Sequence, residues 1–482
     1  MVHAFSIDTR SPDNSGDWNG LTRARSSEDS SRNQRMSNSF SSNWHATIDV
    51  AFDALRAVTL LPGRYPPPGS RRARIAGVVT ACLEDPVGEI PLSQRLVVSK
   101  KVVLVLPPPS EPVSTDLVEA VWAHVDAWMS EDAIISVLVA RGSTDHDDVG
   151  SVIASPHVAV LVRAGLTVSV HTEDRCFGSP AVLAAAPGVP LVLHQMLHEA
   201  DLILCLSRLA LRPDSGVRSP AEMLARGCTG EATRICIERL ASTVRAGDCI
   251  GRPEDLALTR LQNLVYRRMG GVFAIVEAAG ADSTAHVAGN PEDVMRLLLG
   301  RHDASMFVNM SQHSGAIVVA DDHIRDFASA SMDVVLLALQ QQPPLLAHAP
   351  ILLVLPDGCD EWTDAATEPA FLHGMRSPMT RRPATSSADF AGRRLSESLS
   401  RAASAHPLFV SARNLSVLPD VPGLSMFPTL EYAIRAFRRA VDRVEDDQAD
   451  PHGVLMLQGV QYQLPQLGLE TFLTGSVQRG AQ

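Results

Sequence analysis

Short, nearly continuous apolar runs recur through the first half of the chain. They lie at residues 101–106, 133–140, 166–170, 190–193 and 203–206. Runs of this length without polar alternation are typical of strands that are buried on both faces of a parallel sheet. Between the first two runs, residues 115–129 place Leu117, Val121 and Trp128 on one side of a predicted helix. Strands that alternate with helices through short connections predict an α/β fold with mostly parallel sheets.

A second series with the same pattern follows the first. Its predicted strands lie at 272–277, 285–288, 314–320, 351–355 and 406–410, and its predicted helices at 291–301, 332–342 and 430–444. We therefore predict two Rossmann-like domains, residues 45–262 and 263–452, with mostly parallel sheets and an interdomain cleft. Residues 376–404 are predicted to be loop-rich, ending in a helix at most. Residues 453–482 are a terminal segment that could add a strand to the amino-terminal domain.

Composition limits the partners and the compartment. The 482 residues carry a formal charge of −12, which argues against nucleic acid because phosphate binding needs basic patches. No apolar run is long enough to span a membrane, no signal peptide is visible, and the seven scattered cysteines are expected to be reduced. Residues 1–44 are polar and are expected to form a disordered tail. We predict a cytoplasmic protein without a membrane or nucleic-acid partner.

The stretch from residue 201 to residue 240 is the predicted location of a site. A buried strand at 203–206 leads into a polar turn and then a helix, and ligands of open α/β sheets bind beyond the carboxyl ends of strands. Arg208, Arg212 and Arg218 cluster in this turn and could hold a carboxylate or phosphate bidentately. The alternative interpretation is a set of solvated surface arginines.

Histidines supply two weaker hypotheses. His194 and His198 are four residues apart, a spacing that places two imidazoles on one helical face for a metal ion. The alternative is a capped, partly exposed helix. His146 and its neighbour Asp145 follow a predicted strand, where catalytic groups concentrate. These residues could equally form the polar start of the next helix.

Several segments of the sequence are similar, in the same order, to segments of a known family. They are LEDPVGEIPL at 83–92, VLVARGSTDHD at 137–147, PGVPLVLHQMLHEADLIL at 187–204, HVAGNPEDV at 286–294 and FPTLEYAIRAF at 427–437. On these segments the chain resembles the LarA-like family of nickel-pincer lactate racemases over most of residues 80–460. The resemblance implies two LarA-like α/β domains with the boundaries given above.

The family's chemistry depends on residues that this chain replaces. Its members move a hydride between a 2-hydroxy acid and a nickel pincer nucleotide, which a lysine tethers and a histidine helps to ligate. Aligned without gaps, the family's Pro-His falls on Leu211–Arg212, the tethering lysine on Glu222 and the nickel-binding histidine on Glu238. The family's Gly-Thr-His falls on Gly142–Thr144.

These replacements predict that the racemase reaction is lost. Arg212 cannot release a proton to act as a base, Glu222 has no amine for a thioamide, and Glu238 offers oxygen where nickel prefers nitrogen. We expect a pseudoenzyme without the pincer cofactor. The leading hypothesis is a protein that binds a small organic anion through Arg212 or Arg218. The alternatives are a non-catalytic interaction or scaffold protein and a metal-dependent hydrolase that uses His146, His194 and His198.

Overall fold

The computed structural model describes most of the chain beyond residue 57. The described residues are 58–61, 72–141, 149–182, 189–213, 215–244, 257–279, 284–309, 313–320, 327–339, 345–355, 384–411, 422–446, 454–458 and 464–466. Residues Ala57–Gln482 belong to one compact unit. The predicted tail at 1–44 lies outside the described residues. No helix within the described ranges is long and apolar enough to cross a membrane.

Strands and helices alternate along this unit. The strands are β1 (Val58–Leu61), β2 (Lys101–Leu106), β3 (Ile134–Val139), β4 (Val168–Val170), β5 (Cys176–Val182), β6 (Pro190–His194), β7 (Leu202–Arg208), β8 (Ala210–Arg212), β9 (Gly216–Arg218), β10 (Val272–Ala279), β11 (Thr284–Gly289), β12 (Phe307–Asn309), β13 (Gly315–Val319), β14 (Ile351–Val354), β15 (Leu408–Ser411), β16 (Leu424–Phe427), β17 (Val454–Gln458) and β18 (Leu464–Gln466). The helices are α1 (Arg72–Glu84), α2 (Leu92–Val98), α3 (Thr115–Trp128), α4 (Val149–Ala154), α5 (Pro156–Arg163), α6 (Gln195–Glu199), α7 (Pro220–Gly227), α8 (Glu231–Ala241), α9 (Ala257–Met269), α10 (Pro291–Met306), α11 (Phe327–Ala338), α12 (Ser387–Ala405) and α13 (Leu430–Asp446).

The first six-stranded sheet has the order β11-β10-β7-β2-β3-β4 and is parallel except for the β10–β11 pair. Its central strands are apolar throughout because both faces are covered. Leu104 of β2 packs into a core with α1, α3 and α5, whereas its neighbour Val105 packs into a core with α7, α8 and α9. The mostly parallel α/β fold predicted from the unbroken apolar runs is confirmed. The run at 190–193 differs, since β6 pairs antiparallel with β5 in a separate two-stranded sheet.

The second six-stranded sheet has the order β1-β17-β13-β14-β15-β16 and all its pairings are parallel. The structure differs from the predicted domain organisation at the boundary between residues 262 and 263, because β10 and β11 join the first sheet and this boundary divides it. The terminal strand β17 lies in the second sheet, between β1 of the predicted amino-terminal domain and β13 of the predicted carboxyl-terminal domain. The helix allowed at the end of residues 376–404 is present, and it is long: a capping box of Ser386 and Asp389 begins α12.

A hairpin formed by β8 and β9 connects the first sheet to the core around the second. Leu211 and Val217 are cross-strand partners on one face of this hairpin. Both are buried in the core that contains Val318 of β13 and Leu353 of β14. The polar turn in which the site was predicted is therefore packed against the second sheet's core on one face. The other face of the hairpin carries Arg212 and Arg218.

At the edge of the first sheet, the backbone of Gly289 on β11 lies so close to the backbone of Val87 that a substitution can test the contact. Gly289 has φ +136°, and a Cβ there would overlap the carbonyl oxygen of Val87. Gly165 also has positive φ, +85°, but no atom lies within 4 Å of its would-be Cβ. We expect Gly165→Ala to cost about 1–2 kcal/mol from backbone strain alone. Gly289→Ala should cost a further ~1–3 kcal/mol from overpacking. Urea unfolding of both variants measures the difference, and equal losses would contradict the close approach.

Candidate functional site

Three polar side chains form a row at the carboxyl edge of the first sheet. Arg208 ends β7, Glu277 lies beside it on β10, and His286 is the partner of Glu277 on β11. Glu277 Oε1 is 3.8 Å from His286 Nε2, and its Oε2 accepts a hydrogen bond of 2.9 Å from the backbone N–H of Ser114. All three side chains are buried. The row therefore joins the sheet edge to the N-cap of α3.

Glu277 is ionised despite its burial. Burial by itself would raise the pKa of this carboxyl. The nearby His286 ring, the charge of Arg208 and the hydrogen bond from the Ser114 N–H outweigh burial and lower the pKa of the Glu277 carboxyl below its ordinary value. Sequence reasoning missed Glu277 and His286 as site residues. The available signal was their position, since Glu277 stands at the end of an apolar run that forms a parallel strand.

The β8–β9 hairpin presents two arginines to a single carboxylate. Arg212 and Arg218 lie on the hairpin face opposite Leu211 and Val217. Glu111, from the loop between β2 and α3, forms ion pairs with both: its Oε1 with Arg212 and its Oε2 with Arg218. Arg212 also contacts the sulfur of Met332 on α11 at 3.1 Å. This arrangement places one carboxylate oxygen at each guanidinium group.

The interpretation of these arginines as solvated surface residues is wrong. Arg208, Arg212 and Arg218 are 5%, 8% and 6% exposed. Burial of a permanent cation is tolerated only where a counter-charge is present. Sequence reasoning predicted the arginines but not Glu111, because the partner lies about a hundred residues earlier in the chain.

A second charge cluster lies on α7 and α8. Glu222 Oε1 is 2.7 Å from Arg226 Nη1, and Arg226 Nε is 3.1 Å from Glu238 Oε1. Glu238 Oε2 accepts a hydrogen bond of 2.5 Å from Arg394 on α12. Both glutamates are buried. Glu222 and Glu238 thus belong to one ion network, separate from the Glu111 cluster that holds Arg212.

The amino end of α7 has a local partner for its free N–H groups. Ser219 is the N-cap, and its Oγ accepts a hydrogen bond from the Glu222 N–H at 3.0 Å. Pro220 occupies the first turn and has no N–H to donate. Glu222 places a carboxylate in the same turn, which is favourable with the helix dipole but repels a second anion. Local residues thus supply the hydrogen bond and the negative charge at the amino end of this helix.

The predicted histidine pair is not brought together. His194 is the N-cap of α6 and is 1% exposed, and its Nδ1 accepts a hydrogen bond from the Met196 N–H. His198 is exposed and bonds to the Phe177 carbonyl through Nε2 at 2.9 Å. A metal pair on one helical face is therefore wrong, because one ring points into the core. In the described part of the chain no three His, Cys, Asp or Glu side chains could hold a metal ion. Thr144, Asp145 and His146 lie outside the described residues.

His194 instead packs against a second buried histidine. The ring centroids of His171 and His194 are 5.5 Å apart, and His171 Nε2 lies 3.1 Å from the Thr229 carbonyl. Burial, together with the charge of Arg234, lowers the pKa of His171 to about 3. Burial and the charge of Arg175 lower the pKa of His194 to about 4. Both rings are consequently neutral at physiological pH.

A cysteine beside His171 is also uncharged. Cys176 Sγ lies 3.9 Å from His171 Nε2. Burial and the neighbouring Glu173 carboxylate raise the pKa of the Cys176 thiol to about 12. A nucleophilic Cys–His pair requires a thiolate, which this environment disfavours. We interpret the cluster as packing. The five cysteines in the described ranges, Cys82, Cys176, Cys205, Cys228 and Cys236, are free thiols.

Comparison with solved structures identifies the fold. The lactate racemase apoprotein from Thermoanaerobacterium thermosaccharolyticum superposes with a TM-score of 0.61 at 12% sequence identity, over 81% of this chain and 93% of that chain. A protein from Thermotoga maritima superposes with a TM-score of 0.53 at 10% identity, over 82% of this chain and 98% of that chain. No protein-family model and no curated protein matches the sequence. The chain therefore has a LarA-like fold, and the likeness at these identities extends to the fold alone.

The two buried histidines predict a loss of stability in mild acid. Unfolded, each ring has an ordinary pKa near 6.5; folded, the pKa values are about 3 and 4. The unfolded state therefore binds protons first, and stability that is full above pH 6.5 is lost as the pH falls towards 3. At pH 5.5 each histidine should account for about 1.4 kcal/mol of lost stability.

Urea unfolding at pH 7.5 and pH 5.5 measures this loss. His171→Gln removes one titrating ring and should reduce the pH dependence, whereas His198→Gln on the exposed ring is the matched control and should leave it unchanged. Equal pH dependence in the two variants would show that His171 titrates normally in the folded protein.

Proposed function

We propose that this protein uses a LarA-like fold without nickel-pincer racemisation, and that it binds a small organic anion through Arg212 and Arg218. The main support for the loss of racemisation is the burial and ion pairing of Glu222. At the position where the resemblance expects the tethering lysine, Glu222 is 2% exposed and ion-paired with Arg226. A carboxylate has no amine with which to tether the cofactor through a thioamide, and this one is held in a buried ion pair with Arg226.

The donor set does not fit the pincer cofactor. Glu238 has arginine partners on both oxygens, Arg226 at 3.1 Å and Arg394 at 2.5 Å. If Glu238 bound a metal ion, both guanidinium groups would lose this carboxylate as their counter-charge. The 482 residues contain two lysines, Lys100 and Lys101. β2 begins at Lys101 and runs parallel to β7, so these amines lie at the opposite edge of the sheet from Arg208. This count supports the proposal independently of how the family motif is aligned.

The arginine pair favours anion binding as the remaining function. Arg212 and Arg218 are held on one face of a two-stranded hairpin whose other face is fixed in the core. Guanidinium groups held rigidly lose little entropy when they bind a carboxylate or phosphate. The alternative role as an interaction or scaffold protein stays a prediction.

Loss of the pincer chemistry predicts a metal-free, inactive protein. Purified full-length chain, expressed with nickel supplied, should contain nickel far below one equivalent and should leave the enantiomeric excess of L-lactate unchanged. The measurements are elemental analysis and chiral chromatography. Stoichiometric nickel with a bound nucleotide, or racemisation that Glu222→Ala abolishes, would contradict the proposal.

Anion binding predicts a specific thermal stabilisation. A ligand present at a hundred times its dissociation constant should stabilise the folded protein by about 2.7 kcal/mol. A panel of 2-hydroxy acids and other small carboxylates should raise the unfolding temperature saturably, compared with chloride at the same ionic strength. Arg212→Gln should reduce the response, and Arg95→Gln, which alters an arginine at the ion pair with Glu89, is the control. A wild-type response that both variants retain equally would count against the arginine pair.

A further inference from the structure

The Glu111 carboxylate occupies the position that an anionic ligand of the arginine pair would take. Arg212 and Arg218 converge on it from the same hairpin face, one guanidinium to each carboxylate oxygen. Two guanidinium groups on one carboxylate form an arrangement that recognises the planar group and its charge together. The carboxylate belongs to a segment that is distant in sequence from the hairpin, so it meets the arginines as a separate ligand would. The hairpin therefore has the features of a binding subsite with its ligand supplied internally.

The loop that carries Glu111 is held independently of that side chain. Its sequence, PPPSEPV at residues 107–113, contains four prolines, which restrict the backbone. The Glu111 N–H donates to the Pro108 carbonyl at 3.0 Å, and His157 Nε2 lies 3.1 Å from the Pro107 carbonyl. Ser114, at the end of the loop, is bound by Glu277. Truncation of Glu111 should therefore leave a gap at the arginines and not a displaced loop.

We infer that Arg212 and Arg218 form a carboxylate-binding subsite and that Glu111 is its built-in occupant, with which an external carboxylate competes. The inference rests on the anion-binding part of the proposed function and names its ligand class. A carboxylate is the assigned ligand class, because the resident group that pairs with both arginines is itself a carboxylate. Phosphate presents a tetrahedral set of oxygens to the same two arginines.

Chemical rescue tests this subsite directly. Glu111→Ala removes a CH2–COO⁻ unit, and acetate supplies the same group from solution. The unfolding temperature of the full-length variant should fall below that of wild type and recover saturably with millimolar acetate. Acetamide, which is neutral, and chloride at matched ionic strength should not restore it, and phosphate should restore it less than acetate. The apparent acetate affinity should be at least about tenfold tighter in the variant than in wild type, since the built-in competitor is gone.

Two further variants show where acetate binds. Glu111→Ala/Arg212→Gln should lose the rescue. Glu199→Ala, which removes a carboxylate from the exposed ion pair with Lys101, should respond to acetate no more strongly than wild type does. Equal acetate responses in all variants, or no acetate-specific recovery of Glu111→Ala, would overturn the subsite. Recovery with phosphate equal to that with acetate would overturn the assignment of ligand class.

The result remains decisive if Glu111→Ala accumulates poorly. The fraction refolded from denaturant is then compared in acetate and in chloride, and equal fractions would overturn the inference. The isosteric Glu111→Gln keeps the shape and removes the charge, so it should bind acetate less tightly than Glu111→Ala. Rescue of Glu111→Ala together with an unresponsive wild type would retain the subsite but reject both competition by an external carboxylate and anion binding as the native function. Failure of the carboxylate subsite and failure of the proposed anion-binding function thus give different results.

Discussion

Buried arginines at the carboxyl edge of the first sheet must be neutralised where they lie, and much of the site follows from this constraint. An arginine does not lose its proton in a folded protein, so burial cannot be relieved by a pKa shift. Desolvation costs several kcal/mol per ion unless a counter-charge and hydrogen bonds offset it. Arg208, Arg212 and Arg226 each meet this requirement with a glutamate from another segment. The glutamates are needed for charge balance before any chemical role is considered.

This balance also joins parts of the chain that are far apart in sequence. Glu238 on α8 binds Arg394 on α12, and Glu231 on α8 accepts hydrogen bonds from the N–H and hydroxyl of Ser387 at 2.6 and 2.7 Å. Separation of the two helices would leave the Glu238–Arg394 pair broken in a buried site. Breaking such a pair costs about 3–5 kcal/mol. The ion network therefore opposes relative movement of α8 and α12, in addition to any local stability it provides.

Local patterns predicted the strands well because burial on both faces requires an unbroken run of apolar residues, which is visible in the sequence. β2 and β7 have apolar residues at every position facing the two cores, so no periodicity had to be inferred. No comparable sequence pattern identifies the neighbour of a strand in the sheet, since pairing is decided by segments that are distant in sequence. β17 illustrates this: its apolar run predicted a strand, while its place between β1 and β13 could not be inferred. The length of helix α12 was underestimated because its Ser- and Arg-rich composition concealed the helical spacing of Ala391, Leu395, Leu399 and Ala402.

The candidate site divides in the same way. Arg212 and Arg218 were predicted from their positions after a buried strand, whereas Glu222 and Glu238 were singled out by the resemblance to the LarA-like family. Which glutamate serves which arginine is a property of the tertiary structure. The pairing Arg212–Glu111 spans the loop after β2 and the hairpin after β7, two segments that meet only because β2 and β7 are neighbours in the sheet. A resemblance in sequence order could locate this edge, but only the geometry shows its charges bound to one another.

The kinds of charge at this edge favour recognition over proton transfer. Guanidinium groups and the ionised Glu277 keep their charges across the physiological range, whereas general acid–base catalysis needs a group whose pKa lies near the working pH. His171 and His194 are held neutral in the core, away from that role. Fixed charges in a pre-formed arrangement can discriminate among anions by shape and charge without exchanging a proton. These fixed charges are consistent with the proposed binding of an anion at this sheet edge, in which Glu111 would set the strength with which an external carboxylate must compete.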